Sequence, residues 1–170
     1  MLTNVFKKMM LLFLENSIAQ KGLLPAKDVN GNTYYLLNSN IYMSFDKVLR
    51  NNYSNGGIVL GTGTTAPTED DYRLENLIDI GLTASFTYNS GVDNGGPYGD
   101  INLALQNTSN APITVSEIGI TQPLYDTTSL GGTSSSRHLY LLDRTVLAEP
   151  VTIAAGATAI ITYTLKTEVE

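Results

Sequence analysis

The segment LIDIGLTASFT, residues 77–87, alternates between apolar side chains and small or polar ones. From Ile78 to Phe86 every second residue is apolar, and the residues between them are Asp, Gly, Thr and Ser. A period of two is typical of a β-strand that buries one face and exposes the other. The segment therefore predicts a long, half-buried strand.

Further strand patterns follow toward the C-terminus, separated by Gly, Asn and Pro. They cover residues 101–105, 113–120, 139–147, 151–153 and 159–165. Residues 89–100, NSGVDNGGPYGD, are predicted to form a loop. Short strands without helical segments between them are typical of antiparallel all-β folds. The predicted fold class is mainly β, an antiparallel β-sandwich of jelly-roll or Ig-like type.

The first 57 residues are more mixed. Apolar residues recur there at helical spacing on the side away from Lys7 and Lys8, which predicts an N-terminal amphipathic helix. These apolar residues are Val5, Phe6, Met9, Leu12 and Phe13. The apolar run in residues 9–14 is short for a secretory signal, so we expect no cleaved leader.

A mixed segment follows this helix. Asn30 and Gly31 predict a tight turn before a strand at 33–37, whereas residues 41–50 fit a short helix only ambiguously. We therefore expect an attachment segment at 1–57 and a β-sandwich domain at 58–170.

Composition limits the classes of partner. The chain has 170 residues, no Cys and a net charge of −6. Nucleic-acid binding requires clustered Lys and Arg, and a membrane span requires a long apolar run, so neither partner is expected. The lack of Cys fits folding in a reducing cytoplasm. No cofactor-binding or metal-binding motif stands out.

Residues 61–72, GTGTTAPTEDDY, look like the start of a phosphate-binding loop because they leave a short apolar strand through a Gly-rich turn. A Walker loop requires Lys and then Ser or Thr after its second Gly, and this chain has Thr64 and Thr65 there. Three acidic residues follow at 69–71 and would repel a phosphate. The stretch is therefore not expected to bind nucleotide.

A structural explanation accounts for the same residues. Gly61 and Gly63 are expected to let the backbone leave the strand through unusual dihedral angles, and Pro67 to stiffen the exit. Thr68 and Asp71 have the spacing of a capping box, which predicts a short helix beginning at Thr68.

Other candidate sites carry weaker signals. His138, the only histidine, has Ser134–Ser136 nearby, but no nucleophile-elbow sequence surrounds any Ser. A hydrolase could draw its carboxylates from Glu69, Asp71 and Glu117, and the Asn- and Asp-rich turns at 28–32 and 93–100 leave calcium open. Tyrosines expected on loops could form a platform for a glycan or a receptor. They are Tyr88, Tyr98 and Tyr125.

Three segments carry an ordered set of motifs. They are VLGTGTTAPTEDDYRLE at 59–75, VSEIGIT at 115–121 and LYLLDRTVLAEPVTIAAGATAIITYTL at 139–165. Together they resemble tailed-bacteriophage virion structural proteins of the tail, collar, head-fibre or capsid-decoration type. The resemblance implies an architectural role for the signature positions rather than catalysis. These positions are Gly61, Gly63, Thr64, Pro67, Tyr72, Glu117, Gly119, Arg144 and Gly156.

The resemblance implies a protein made in the host cytoplasm and located in the virion, without enzymatic activity or cofactor. Its partners would be other virion proteins and copies of itself, met partly through the apolar side chains of the N-terminal helix. Glu117 lies among apolar strand residues, where an unpaired carboxylate would be costly. We therefore expect Glu117 to pair with Arg144 across the sandwich.

Overall fold

The structure is a computed structural model that describes residues 2–8, 24–36, 57–78, 81–93, 96–128 and 136–166. Strands make up 66% of these residues, and the pairs β1–β2, β2–β6, β3–β6, β4–β5 and β5–β8 are antiparallel. The prediction of a mainly β, antiparallel fold is therefore confirmed. The strands are β1 Leu24–Lys27, β2 Thr33–Leu36, β3 Gly57–Gly61, β4 Leu82–Asp93, β5 Gly96–Asn107, β6 Ile113–Thr127, β7 Ser136–Ile153 and β8 Thr158–Lys166.

The chain divides into two compact units. The first comprises residues 1–78 and 115–150, and the second comprises 79–114 and 151–170. The predicted division between residues 57 and 58 stays a prediction.

The first unit contains most of a five-stranded sheet. Its strands follow the order β1-β2-β6-β3, and β7 also pairs with β6. Val59, Leu74 and Leu141 form a buried apolar cluster against which Leu77 packs. The candidate site described below lies in this unit.

The second unit contains a three-stranded sheet in the order β4-β5-β8. One face is apolar and buried, while the described side chains of the other face are mostly Thr, Ser and Asn. Residues 101–105 and 159–165 are therefore in strands, as predicted. The buried side chains are Leu82, Ile101, Leu103, Leu105, Ile161 and Tyr163.

The alternating segment at 77–87 is not one strand. Leu77 forms a bridge with Gly61 of β3, whereas β4 begins only at Leu82. Between them Gly81 has φ 82°, a left-handed value that interrupts an extended strand. Residues 82–87 are strand, as predicted, but the prediction of a continuous strand from residue 77 is wrong.

The predicted loop at 89–100 is also largely strand. β4 and β5 pair in continuous register from Leu82↔Asn107 to Asp93↔Gly96. Polar residues on the exposed face of a sheet resemble a loop in sequence, which explains the error. Similarly, the strands predicted at 139–147 and 151–153 are one strand, β7.

Residues 4–8 have helical conformation, but a longer amphipathic N-terminal helix is not confirmed. Met9, Leu12, Phe13 and the ambiguous segment 41–50 lie outside the described residues. The predicted turn is present, with Gly31 at φ 89° between β1 and β2. Within the described ranges, no helix has the length and apolar character needed to cross a membrane.

Candidate functional site

Glu117 lies at the centre of a buried polar network. β3 pairs with β6 so that Gly61 is opposite Glu117, which brings the loop that leaves β3 over this carboxylate. The Glu117 side chain is fully buried. A buried charge is stable only when it is paired and hydrogen-bonded, so its partners decide whether this arrangement holds.

Backbone amides and one guanidinium satisfy the Glu117 carboxylate. Its Oε1 accepts hydrogen bonds from the N–H groups of Gly63 at 3.0 Å and Asn76 at 2.9 Å. Its Oε2 accepts one from the Glu75 N–H at 3.1 Å and one from Arg144 Nε at 2.8 Å. Four donors on two oxygens leave the carboxylate well satisfied. The network therefore fixes both ends of the loop on β6.

The predicted pair of Glu117 and Arg144 is present, but its placement differs from the prediction. The two residues lie on β6 and β7, which pair within one sheet rather than face each other across a sandwich. Arg144 also donates from Nη1 to Asp71 at 2.8 Å, and its Nη2 lies 3.5 Å from a Glu75 oxygen. One cation thus joins three carboxylates.

The Gly-rich loop binds carboxylates of its own chain. The N–H groups of Thr64 and Thr65 donate to Glu75 Oε2 at 3.0 and 2.9 Å, and the Thr65 hydroxyl donates to Oε1 at 3.0 Å. Together with the Gly63 N–H on Glu117, these amides resemble an anion-binding loop. The protein's own carboxylates occupy the positions that a phosphate would need, which gives the loop a structural role.

Gly61 and Gly63 are required for space rather than for unusual dihedral angles. Neither has a positive φ, so that part of the prediction is wrong. A Cβ at Gly63 would lie 2.5 Å from Glu75 Cβ and 2.6 Å from Glu117 Oε1. A Cβ at Gly61 would overlap the same Glu117 oxygen and lie 2.5 Å from the Asn76 carbonyl oxygen. Both glycines make room for the buried carboxylate.

The helix predicted at Thr68 is also absent, because residues 68–71 form a turn. Asp71 Oδ2 accepts the Thr68 N–H at 3.0 Å, as in a capping box, but the Thr68 hydroxyl donates to Asp71 Oδ1 at 2.9 Å. The carboxylate that would begin a helix is held instead by Arg144. The tertiary ion pair overrides the local helix signal.

Hydrogen bonds and charge shift the pKa values in this network. Burial acts to raise the pKa of Asp71, but hydrogen bonds from Thr68 and Arg144 hold it below its usual value. Hydrogen bonds from the Thr65 amide and hydroxyl lower the pKa of Glu75. Burial opposes the charge on Arg144, but hydrogen bonds to Asp71 and Glu117 raise its pKa, so Arg144 stays protonated.

Acidification should therefore weaken the fold through Asp71. Because its folded pKa lies below its unfolded value, its stabilising contribution is complete above about pH 4 and is lost as pH falls through the folded pKa. We expect the free energy of unfolding, measured with urea, to decline below about pH 4 in the native chain. Asp71→Asn should be less stable at pH 7 and should decline less steeply. Asp70→Asn, which leaves Arg144 untouched, should keep the native decline, and an equal flattening in both variants would contradict this assignment.

The remaining signature positions have separate structural roles. A Cβ at Gly119 would lie 2.9 Å from side-chain atoms of both Leu74 and Leu141, so this glycine allows close packing under the loop. Tyr72 is half-buried and lies under the Lys27 ammonium, 4.8 Å from the ring centre. Pro67 is half-buried in the same loop. Gly156 has φ 73° in the turn between β7 and β8.

Residues 2–8 lie along the edge of β7. Thr3 is fully buried, its N–H donates to the Leu142 carbonyl at 3.0 Å, and its hydroxyl donates to the Leu141 carbonyl at 2.7 Å. Val5 is 5% exposed and belongs to the core, while Phe6 is half-buried. The docking role of the N-terminal residues stays a prediction, but Val5 is not accessible to a partner.

The N-terminal segment also contacts the loop that holds the network. The Asn4 N–H donates to the Glu69 carbonyl at 2.8 Å, and Asn4 Nδ2 donates to Asp70 Oδ1 at 2.9 Å. Lys7 forms an ion pair with the Glu69 side chain. These contacts connect the start of the chain to the same loop that closes over Glu117.

His138 lies in a second polar cluster, at the far end of β6. Its Nδ1 lies 2.8 Å from Asp126 Oδ2, and its ring stacks on Tyr34 at a centre distance of 4.0 Å. Tyr140 donates to the same Asp126 oxygen at 2.6 Å, and burial together with Asp126 raises the pKa of Tyr140. Ser134 and Ser135 lie outside the described residues, and Ser136 is the exposed first residue of β7.

The other candidate sites are located as follows. The tyrosines of the proposed platform, Tyr88, Tyr98 and Tyr125, lie in β4, β5 and β6 rather than on loops, so that placement is wrong. The carboxylate of Asp28 accepts the N–H groups of Asn30 and Asn32 at 3.0 and 2.8 Å, as an Asp-stabilised turn requires. No group of ligands suited to a metal ion occurs among the residues that the structure describes.

Comparison of the chain with protein-family models, curated proteins and solved structures gives no match. Sequence reasoning found Glu117, Arg144 and the two glycines of the network. It missed Glu75 and assigned Asp71 to a helix cap. The roles of these two acids depend on distant partners, and nothing in their local spacing indicates such partners. The Asp126–His138–Tyr140 cluster was also missed, although His138 and Tyr140 are two residues apart and so share one face of a strand.

Proposed function

We propose that the chain is a non-enzymatic structural component of a tailed-phage virion. In this proposal a β-sandwich provides the rigid building block, and the N-terminal segment attaches it to neighbouring subunits, including copies of itself. The protein is made in the host cytoplasm and functions in the assembled particle. The resemblance described in the sequence motivates the proposal, and the geometry of the network supports it.

The observation that carries the proposal is the convergence of the three segments on which the resemblance rests. The first contributes the glycines and acids of the loop, the second contributes Glu117 and Gly119, and the third contributes Arg144. Residues that are far apart in sequence therefore meet in one buried network that holds a loop on a sheet. Signature residues of an architectural protein should behave in this way, because their role is to fix the shape of the building block.

The N-terminal contacts support a defined starting point for the attachment segment. Residues 2–8 are held on the edge of β7 and on the loop at 69–70. The predicted docking residues that follow residue 8 are therefore connected to a segment that is held in place. Of the predicted docking side chains, Phe6 is half-buried, while Met9, Leu12 and Phe13 lie outside the described residues and stay a prediction.

The proposal predicts that the chain is incorporated into particles. Particles from cells that produce the chain should band in a density gradient with the chain present, and gold-labelled antibody should mark one part of the particle. Met9, Leu12 and Phe13 changed together to Ser should leave the chain folded but absent from the band. Val92→Ser, which changes an exposed residue of β4, is the matched control and should be incorporated normally. Recovery of the native chain only in the soluble fraction would refute the proposal.

A further inference from the structure

The edges of the five-stranded sheet are covered or protected. Residues 76–78 form hydrogen bonds with the outer edge of β3. The N–H of Ile78 donates to the Leu60 carbonyl at 2.8 Å, and the N–H of Thr62 donates to the Asn76 carbonyl at 2.9 Å. Residues 2–3 cover the edge of β7, where Leu2 forms a bridge with Asp143 and the Thr3 N–H donates to the Leu142 carbonyl. β1 has only four residues, including a Pro and a Lys. Short strands, Pro and Lys are the usual means by which proteins prevent edge pairing.

The edge strand β8 of the three-stranded sheet is longer, contains no Pro, and has its single Lys at the last position. It pairs with β5 over nine residues in unbroken register, from Thr158↔Gln106 to Lys166↔Tyr98, without a bulge. Its other edge pairs with no strand in the described part of the chain. The sequence TAIITYTLK contains no Pro or Gly and no charge before Lys166. Such a strand is a template for pairing with another strand.

The exposed face of β8 carries an apolar side chain at the same place. Ile160 is 75% exposed, whereas its neighbours in sequence on that face are Thr158 and Thr162. Across the sheet Ile160 pairs with Ala104, so the apolar surface extends onto β5. A second strand added beside β8 would cover part of Ile160.

The other edge strand, β4, is a weaker template. Its sequence LTASFTYNSGVD ends in Asn, Ser, Gly and Asp around one valine, and these residues disfavour strand pairing. By contrast, β8 consists mainly of β-branched and aromatic residues.

We infer that β8 pairs antiparallel with β8 of a second copy of this chain about a two-fold axis. Full overlap of the nine residues places Thr162 opposite its own copy, Ile160 opposite Thr164, and Lys166 opposite Thr158. No like charges meet in this register, so the strand is complementary to itself. The two three-stranded sheets become one six-stranded sheet. This inference rests on the proposed assembly role, because it names one surface through which copies meet.

The test is sedimentation equilibrium of the purified full chain over a range of concentrations. The native chain should form dimers, and Ile160→Lys, which replaces an apolar side chain that the second strand would partly cover by a charged one in both copies, should weaken the dimer at least about tenfold. Val92→Lys alters a similarly exposed apolar side chain, on β4, and should dimerise like the native chain. Circular dichroism should show that both variants fold.

A single cysteine provides an independent measurement. The chain has no Cys, so Thr162→Cys introduces its only thiol. Directly opposed residues in antiparallel strands have Cα atoms about 4.5 to 5.5 Å apart, which suits a disulfide. We expect a disulfide-linked dimer with Thr162→Cys and none with Val92→Cys.

Four results would overturn the inference: a native chain that stays monomeric, an unchanged dimer with Ile160→Lys, equal weakening by Val92→Lys, or assemblies that grow beyond the dimer. A dimer lost only in the variant with Ser at positions 9, 12 and 13 would also overturn it while supporting N-terminal attachment. Incorporation into particles is measured separately, so failure of the proposed function is distinguishable from failure of the β8 dimer.

Discussion

Arg144→Leu should destabilise the chain by about 3 to 5 kcal/mol, the usual cost of removing one partner of a buried ion pair. The substitution leaves the fully buried Glu117 carboxylate without its only cationic partner in the described network. It also releases Asp71, so the loop at 61–76 loses its attachment to β7. Urea unfolding at pH 7 measures the effect as a lower midpoint at unchanged slope.

Two further variants test the cause. Arg73→Leu removes an exposed guanidinium from the same loop and should change the free energy of unfolding by less than about 0.5 kcal/mol. Combining Arg144→Leu with Glu117→Gln should cost less than the sum of the single changes, because each removes the same pair. Strict additivity would contradict the coupling. If Arg144→Leu does not fold, Arg144→Lys, which keeps the charge but not the fork of donors, should fold with reduced stability.

Gly63→Ala should destabilise the chain by about 3 kcal/mol, although alanine is among the smallest substitutions available. The new Cβ would overlap Glu75 Cβ and Glu117 Oε1, and the hydrogen bond from the Gly63 N–H to Glu117 would have to lengthen. Overpacking costs about 1 to 3 kcal/mol, and a displaced buried carboxylate adds to it. The measurement is the free energy of unfolding in urea.

Gly156→Ala is the matched control because its cost comes from the backbone conformation, whereas the cost of Gly63→Ala comes from lack of space. Gly156 has φ 73° but no atom within 4 Å of an added Cβ, so its substitution costs only backbone strain, about 1 kcal/mol. Gly63 has space as its only constraint. A greater loss for Gly156→Ala than for Gly63→Ala would show that dihedral preference, rather than room for the carboxylate, explains the glycines of the loop.

Sequence patterns predicted the parts of the fold that depend on local periodicity. Strands with one buried and one exposed face, such as β5 and β8, alternate clearly, and the Asn30-Gly31 turn requires a positive φ that few residues adopt. The predictions were wrong where one local sequence pattern is compatible with two different structures. The Thr68–Asp71 spacing fits a helix cap as well as the observed turn, and only Arg144 decides between them.

The site was predictable to a similar extent. A carboxylate at Glu117 among apolar strand residues requires a partner, and Arg144 was the cation that the motifs offered. The amide donors of residues 63, 75 and 76 were not predictable, because any loop residue can donate an N–H. The edges of the sheets depend on strand order, which alternation does not specify.

The contacts of residues 2–8 with β7 also constrain the order of folding. Thr3 and Leu141, joined by a hydrogen bond, are 138 residues apart in sequence. During synthesis at about 5 to 20 residues per second, residues 2–8 emerge from the ribosome roughly ten seconds before their binding surface on β7 exists. Val5 and Phe6 lack their native neighbours during that time, and the edge of β7 is covered only after Leu141 and Leu142 have been synthesised. Residues 2–8 are therefore synthesised long before they can reach their native positions.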